Sequence, residues 1–387
     1  MMHDIVIIGG GPAGNKAASL LSGEYDVLVV EEHSVPGRPV QCTGLISDEV
    51  LELSGTKPEI LNELYGASII FPNGKELTVR SKERKAVLID REDLDKKMAR
   101  KAEDAGAAHM YGTRYMSHRI SEDSVITETD REQITSSMII GADGHRSSVS
   151  RSIGSNEPAE YVRGIQADVR KRAEDQDMIT IRIGSETAPG FFSWEVPFGD
   201  MTRIGLCTSW EYGPPSEYLR PLLRKAGVSD EDIVKKYSGR IPIGGQRRTY
   251  ADRLLLIGDA ACQVKPISGG GLQPAFRSSY ALSETVREAF DEENFSEEFL
   301  SVYEKRWKRD IGKELRRGYR LRKMYTSMSD DELNRISEIT ERNGMKETLG
   351  SGSIDHPSDL LFPVMKDPVT ALRLMPILMK AWARGSK

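Results

Sequence analysis

Residues 4–8 read DIVII, and the run Gly9-Gly10-Gly11-Pro12-Ala13-Gly14 separates them from a helical stretch, KAASLLSG, and a second apolar strand, DVLVV at 26–30. Strand, glycine turn, helix and strand in so short a space make a βαβ unit, which requires a parallel sheet. Gly9 suits the tight turn, Gly11 a close approach of backbone to a pyrophosphate, and Gly14 the packing of helix on strand. The helix N-terminus, opened by Pro12 and Ala13, directs free N–H groups and a partial positive charge at phosphates. The second strand ends at Glu31, seventeen residues after Gly14, where a carboxylate accepts hydrogen bonds from ribose hydroxyls. These features predict a nucleotide site.

Two later segments repeat the strand-end glycine pattern. The apolar run SMII leads into Gly141-Ala142-Asp143-Gly144, with Ser147 and Arg151 close behind. LLLI leads into Gly258-Asp259-Ala260-Ala261, followed by Pro266, Gly269-Gly270-Gly271 and Leu272. An aspartate at a strand end can bond a sugar-like hydroxyl, and three successive glycines let main chain lie flat against a planar ring or a phosphate. Between these sites, 67–79 reads as a hairpin around Asn73-Gly74, 91–106 as an amphipathic helix stopped by glycine, and 160–245 as strand-rich. From 261 to about 325 the pattern is helical, and 326–387 mixes helical periodicity with proline breaks.

The expected architecture is α/β. A discontinuous Rossmann-like domain (1–65, 85–155 and 246–295) receives an antiparallel-sheet domain inserted in two pieces (66–84 and 156–245), and 296–387 form a helical C-terminal region. The formal net charge of −5 does not favour nucleic acid. Cys42, Cys207 and Cys262 have no metal-ligand spacing and predict a reducing, cytoplasmic setting. The strand pattern at the N-terminus predicts no signal peptide, and no apolar run reaches the length of a membrane span. The six histidines, His3, His33, His109, His118, His145 and His356, form no constellation and read as surface or structural.

With these motifs in this order, residues 4–290 resemble the FAD-dependent oxidoreductases of the p-hydroxybenzoate hydroxylase type. The resemblance implies FAD as cofactor. Gly9, Gly11, Gly14 and Glu31 would hold its ADP half, Arg91 would head a helix beside it, and Asp143 and Gly144 would lie near the pyrophosphate. Asp259 would bind the ribityl chain, and the 266–272 loop would lie along the isoalloxazine.

Two further segments resemble the geranylgeranyl reductase branch. Pro39-Val40-Gln41-Cys42-Thr43-Gly44 is similar to its cysteine-bearing loop. Pro189-Gly190-Phe191-Phe192-Ser193-Trp194-Glu195-Val196-Pro197 is similar to its P-x-x-Y-x-W-x-F-P motif, with Phe192 replacing tyrosine and Val196 replacing phenylalanine. The branch implies saturation of isoprenoid double bonds in archaeal-type lipids or their precursors. Such an alkene is unactivated, so reduction calls for a proton, a hydride from N5 of reduced flavin, and a dry pocket. Phe191, Phe192, Trp194, Val196 and Pro197 would line that pocket, with aromatic faces toward developing positive charge. Cys42 reads either as an acid or positioning group or as a small buried hydrophobe. Phe192-x-Trp194-x-Val196-Pro197 is also near the W-x-W-x-I-P segment of flavin-dependent halogenases. A monooxygenase or halogenase, and a non-catalytic FAD-binding redox protein, therefore stay open at this point.

No second dinucleotide fingerprint marks an electron donor, which leaves NAD(P)H, a ferredoxin or a reduced flavin carrier. Two stretches suit peripheral contact with the inner face of a membrane: the basic 305–323, carrying Trp307, Ile311, Leu315, Tyr319 and Leu321, and the terminal LRLMPILMKAWARGSK.

Overall fold

The computed structural model describes residues 2–155, 157–245, 248–340, 355 and 368–385. The expected hairpin, the 91–104 helix and the three strand-glycine units are present. The opening strand Met2–Ile8 sits inside an eight-stranded sheet, flanked in parallel by Val27–Glu31 and by Gln133–Gly141. Ala108–Tyr111 extends the parallel run on one side and Leu254–Leu256 on the other. The alternation of these strands divides their side chains between two cores. Ile5, Ile7, Val27, Val29 and Ile140 pack under helices Pro12–Leu21, Leu272–Asp291 and Glu297–Asp310. Val6, Ile8, Leu28, Val30 and Ile139 face an antiparallel layer carrying Tyr115, Val125 and Ile134. Burial on both faces explains why the strands read as unbroken apolar runs.

A second sheet has seven strands, in spatial order Ile233–Ile243, Glu160–Val169, Met201–Ser209, Phe192–Phe198, Met178–Ile183, Gly66–Ile70 and Glu76–Arg80. The two stretches far apart in sequence, 66–80 and 160–243, therefore share one sheet. It is antiparallel except where Met178–Ile183 pairs in parallel with Gly66–Ile70. That exception follows from a long crossover, since the strands belong to different excursions of the chain. The strand-rich reading of 160–245 misses the helix Ser216–Lys225, whose Leu219, Leu222 and Leu223 cover one face of this sheet. It also gives no sign of a third, three-stranded sheet of Leu45–Ile46, Ala86–Ile89 and Ile60–Leu64. Those strands are short and lie among turns, so alternation gives little signal.

The apolar residues of the basic stretch 305–323 are buried or half-buried rather than turned outward. Trp307 and Ile311 are buried in the core beneath the parallel sheet, and Arg322, just beyond them on helix Gly312–Thr326, is buried as well. Interleaved apolar residues here serve packing, Arg322 is paired inside with Glu160, and Lys313, Arg316 and Arg320 face solvent. Among the described residues no helix is long and apolar enough to cross a membrane.

Candidate active site

The three glycine sites converge at the carboxyl ends of adjacent strands. Ala142 N–H donates to Ile8 O at 2.7 Å, and Ile257 N–H to Gly141 O at 2.9 Å. The turns that follow emerge side by side at the edge where parallel sheets bind ligands. They are tightly fitted: a Cβ on Gly9 (φ +104°) would strike Ala142 O, one on Gly14 would strike Gly9 O, and one on Gly258 would lie 2.8 Å from Ala13 Cβ. At Gly11, by contrast, an added Cβ meets nothing within 4 Å, and no side chain caps the helix that begins at Pro12. Crowded glycines on either side of open space, with uncapped N–H groups facing it, fit a bound pyrophosphate.

The glycine turn rests on polar groups that no local pattern reveals. Buried Asn15 donates from Nδ2 to Gly10 O at 2.6 Å, and its Oδ1 lies 2.8 Å from His109 Nε2. Burial holds the His109 imidazole below its usual range. Glu31 accepts from Gly10 N–H at 2.7 Å and from His33 N–H at 2.9 Å. His33 is thus a brace for the Glu31 carboxylate, and His109 a brace for the turn. His3 and His118 are held by Asp26 and Tyr115. Burial, and then Arg146 and Arg240, push His145 down to about 4. His356 lies outside the described residues.

The Asp143 side chain is engaged within the protein. Its carboxylate accepts from Ser147 Oγ–H (2.5 Å), Ser148 N–H (2.6 Å) and Val149 N–H (3.2 Å), so it caps the short helix Ser148–Ser152. Burial nevertheless keeps its pKa raised. The backbone of Asp143, not its side chain, borders Gly9, 3.0 Å from where a Cβ there would stand. Gly144, at φ +73°, follows with open space beside it.

The third turn is pinned from below. Gly258 N–H donates to Gln263 Oε1 (2.9 Å), Gln263 Nε2 donates to Tyr303 Oη (3.0 Å), and Tyr303 Oη–H donates to Leu256 O (2.9 Å). Burial raises the Tyr303 phenol far above its usual range, so it stays a donor. Asp259 flanks Gly271, where an added Cβ would lie 3.0 Å from Oδ1. Pro266 touches the helix at Gly318, where a Cβ would come within 3.2 Å of Cδ. Lys265 lies buried at the start of this loop and pairs with Asp355, and its N–H closes the loop on Gly270 O at 3.0 Å. Leu272 then opens the long helix and packs toward Phe276, Ile89 and Leu94.

Gly269 joins this loop to the second sheet: a Cβ there would lie 2.8 Å from Ile241 Cδ1 and 3.5 Å from Phe191 Cζ. Phe191 and Phe192 stack with centroids 4.5 Å apart, and Phe192 meets Trp194 edge-on at 6.1 Å. The Trp194 indole lies over Gly205, leaving 2.6 Å to a Cβ there, and its Nε1 is buried without a partner. The five expected lining residues divide. Phe191, Phe192 and Trp194 gather with Ile241, Val264 and Tyr319 beside the glycine loop, whereas Val196 packs against Leu64, Leu88 and Ile179. Pro197 offers its carbonyl to Asn62. Val196 and Pro197 sit further along the strand, over the three-stranded sheet, and so lie away from Gly269.

Cys42 sits between two guanidinium groups. Arg91 opens the helix Arg91–Asp104 and bonds Asp95 at 3.0–3.3 Å. Burial alone would lower its pKa, but Asp95 and the Cys42 thiol outweigh that and raise it. Arg203 grips Asp168 (2.6 and 2.9 Å) and Thr43 O, and Tyr237 Oη–H donates to the same Asp168 at 2.8 Å. Gln166 Nε2 donates to Cys42 O at 3.1 Å and its Oε1 accepts from Thr43 at 2.9 Å. Gln41 O covers Gly239, two residues along the strand from Ile241, so the cysteine loop and the Gly269 loop cross one sheet face about 7 Å apart. Cys207 is buried, which pushes its thiol up to about 12, and Cys262 is a buried residue in the third turn. Among the described residues no cluster of metal-ligating side chains occurs.

This fold, with converging glycine turns at one sheet edge, defines an FAD-binding flavoprotein, and the FAD binding domain family matches residues 2–232. The chain is 31% identical over 364 residues to digeranylgeranylglycerophospholipid reductase 2 of Methanopyrus kandleri, spanning 88% of this chain and 91% of that one. The chain belongs to the FAD-dependent geranylgeranyl reductase family. A geranylgeranyl bacteriochlorophyll reductase-like protein from Thermoplasma acidophilum shares the fold with a TM-score of 0.86 at 23% identity, over 97% of this chain and 99% of that one. The halogenase PltM also shares it, with a TM-score of 0.70 at 16% identity over 98% and 86% of the two chains, a likeness of fold alone.

Proposed function

We propose that this protein uses FAD to saturate carbon–carbon double bonds in geranylgeranyl chains of archaeal-type membrane lipids or their precursors. The observation that carries the reading is the contact of Gly269, in the glycine loop, with Phe191 and Ile241 of the apolar wall. It sets a water-poor hydrocarbon surface directly against the loop assigned to the cofactor's ring system. Reduced FAD supplies a hydride when bound.

The protein's own residues bind, orient and keep the site dry. Gly11 and the N–H groups after Pro12 would hold the pyrophosphate, with Gly9 and Gly14 shaping that turn; Glu31 would hold the adenosine ribose, Asp259 the ribityl hydroxyls, and Gly269–Gly271 the ring. Phe191, Phe192 and Trp194 hold the isoprenoid chain, and their faces favour developing positive charge at the tertiary carbon. Cys42 is a proton-holding or positioning group, its loop fixed by Gln166 and Arg203. The donor of reducing equivalents is NAD(P)H, a ferredoxin or a reduced flavin carrier, and the lipid is drawn from a membrane that the protein meets peripherally.

The test is anaerobic incubation of dithionite-reduced holoprotein with a geranylgeranyl glycerophospholipid, read by mass spectrometry. A gain of two hydrogens per double bond is expected. An unchanged lipid, or an oxygen-dependent hydroxylated or halogenated product in air, overturns the proposal.

A further inference from the structure

We propose that the terminal helix Pro368–Gly385 docks this protein on an anionic lipid bilayer, lying in the plane of the interface with one face in the acyl region. The idea rests on the lipid-reductase reading for its purpose, but its evidence is independent. Leu372, Met375, Met379 and Trp382 recur at spacings of three, four and three residues, which places them along one helical face, and they are 77%, 42%, 63% and 59% exposed. Among the described residues, no other element exposes more than two large apolar side chains. The opposite face does the packing: Leu374, Ile377 and Ala381 are buried, Ser327 Oγ–H donates to Ala381 O at 2.8 Å, and Glu332 pairs with Lys380 and Arg384. The helix is therefore apolar on the side that holds it to the protein and again on the side turned outward. A soluble surface helix places polar residues there.

Charge names the occupant. Residues 368–387 contain no aspartate or glutamate, but they carry Arg373, Lys380, Arg384 and Lys387. Glu332 offsets one of these charges through Lys380 and Arg384, and the helix keeps a net positive charge beside its exposed apolar side chains, which matches the acyl boundary and headgroup layer of an anionic membrane. The helix is not apolar enough to span a bilayer, so it lies on one.

The full-length holoprotein is sedimented with vesicles of phosphatidylglycerol or of phosphatidylcholine. Partition at least about tenfold stronger onto the anionic vesicles is expected. Met379→Asp, at an exposed position, should lower it by about tenfold or more while leaving turnover of detergent-dispersed lipid unchanged. Brominated lipid should quench the fluorescence of the unaltered protein more than that of Trp382→Phe, a readout that needs no destabilising change. Equal partition of the Met379→Asp variant, no vesicle binding at all, or a dimer that Met379→Asp dissociates would overturn the proposal. The second of these outcomes is what coverage of the stripe by residues 341–367 of this chain would produce. Failure of the unaltered protein to dock, with its detergent-phase turnover intact, refutes docking alone, and docking of the unaltered protein without turnover refutes the reductase reading alone.

Discussion

Residues 305–323 and 368–385 are both basic stretches threaded with large apolar side chains, yet Trp307 is 7% exposed and Trp382 59%. The inner stretch lies in the two helices Glu297–Asp310 and Gly312–Thr326, which run between both sheets. Trp307 donates to Thr249 Oγ1 at 3.1 Å, and Gly318 meets Pro266 of the glycine loop. Arg322 bonds both carboxylate oxygens of Glu160 (2.9 and 2.7 Å) and Gly190 O (3.0 Å), and Tyr325 donates to Phe191 O. The inner helices therefore set the Phe191 wall against the glycine loop. The terminal helix touches neither, and packs on the end of helix Gly312–Thr326, with Ser327 bonded to Ala381 O, and on helix Asp330–Thr340 through Leu374 and Glu332. Composition alone does not reveal whether a basic, apolar helix is a brace or a surface; burial of its apolar side chains does.

Substitutions at matched positions sharpen that contrast. Trp307→Ala should destabilise the protein by about 3–5 kcal/mol, through lost burial and a cavity, measured by denaturant unfolding. Trp382→Ala should cost far less, and an equal loss would break the comparison. Arg322→Met should cost about 3 kcal/mol, because it leaves the Glu160 carboxylate and Gly190 carbonyl without their partner. It should also lower turnover of detergent-dispersed lipid, since the Phe191 segment loses its anchor. Unchanged turnover in a folded variant would remove Arg322 from the bracing role.

Acid should act on the terminal helix first. Burial would raise the Glu332 pKa, but Ser329 N–H and Arg384 outweigh it and leave the carboxyl below its ordinary range. A depressed carboxyl stabilises fully above its unfolded value, about 4.3, and that contribution fades as pH falls through the lowered folded value. Amide protection in 372–384, corrected for the intrinsic exchange rate, should therefore fall below about pH 4 before protection in 297–326 does, and Glu332→Gln should abolish the difference. The smallest effect is expected of Leu372→Ser, within about 0.5 kcal/mol of neutral by the same unfolding measurement.

The legible parts of the site are those built from neighbours in sequence. Strand, glycine turn and helix at 4–21, and the strand-end glycines at 141 and 258, announce themselves because a tight turn and a close approach leave few residue choices. Their convergence is readable from the resemblance. The braces beneath them are not: Asn15 with His109, Gln263 with Tyr303, and Arg322 with Glu160 are paired across 94, 40 and 162 residues. The bonds of the Asp143 carboxylate to the start of helix Ser148–Ser152 are also hidden, since an aspartate at a strand end suits a ligand and a helix terminus equally well. The motif groups Val196 and Pro197 with Phe191, but the run of the strand carries them past the glycine loop.

By itself the sequence determined the parallel sheet, its glycine turns and the hydrophobic alternation of the strands, because backbone sterics and side-chain periodicity act over a few residues. Tertiary structure alone decided which polar groups hold those turns, which aromatic side chains meet the loop and which of two similar helices stays at the surface. Those outcomes depend on burial and on partners brought from distant parts of the chain, and neither is a local property.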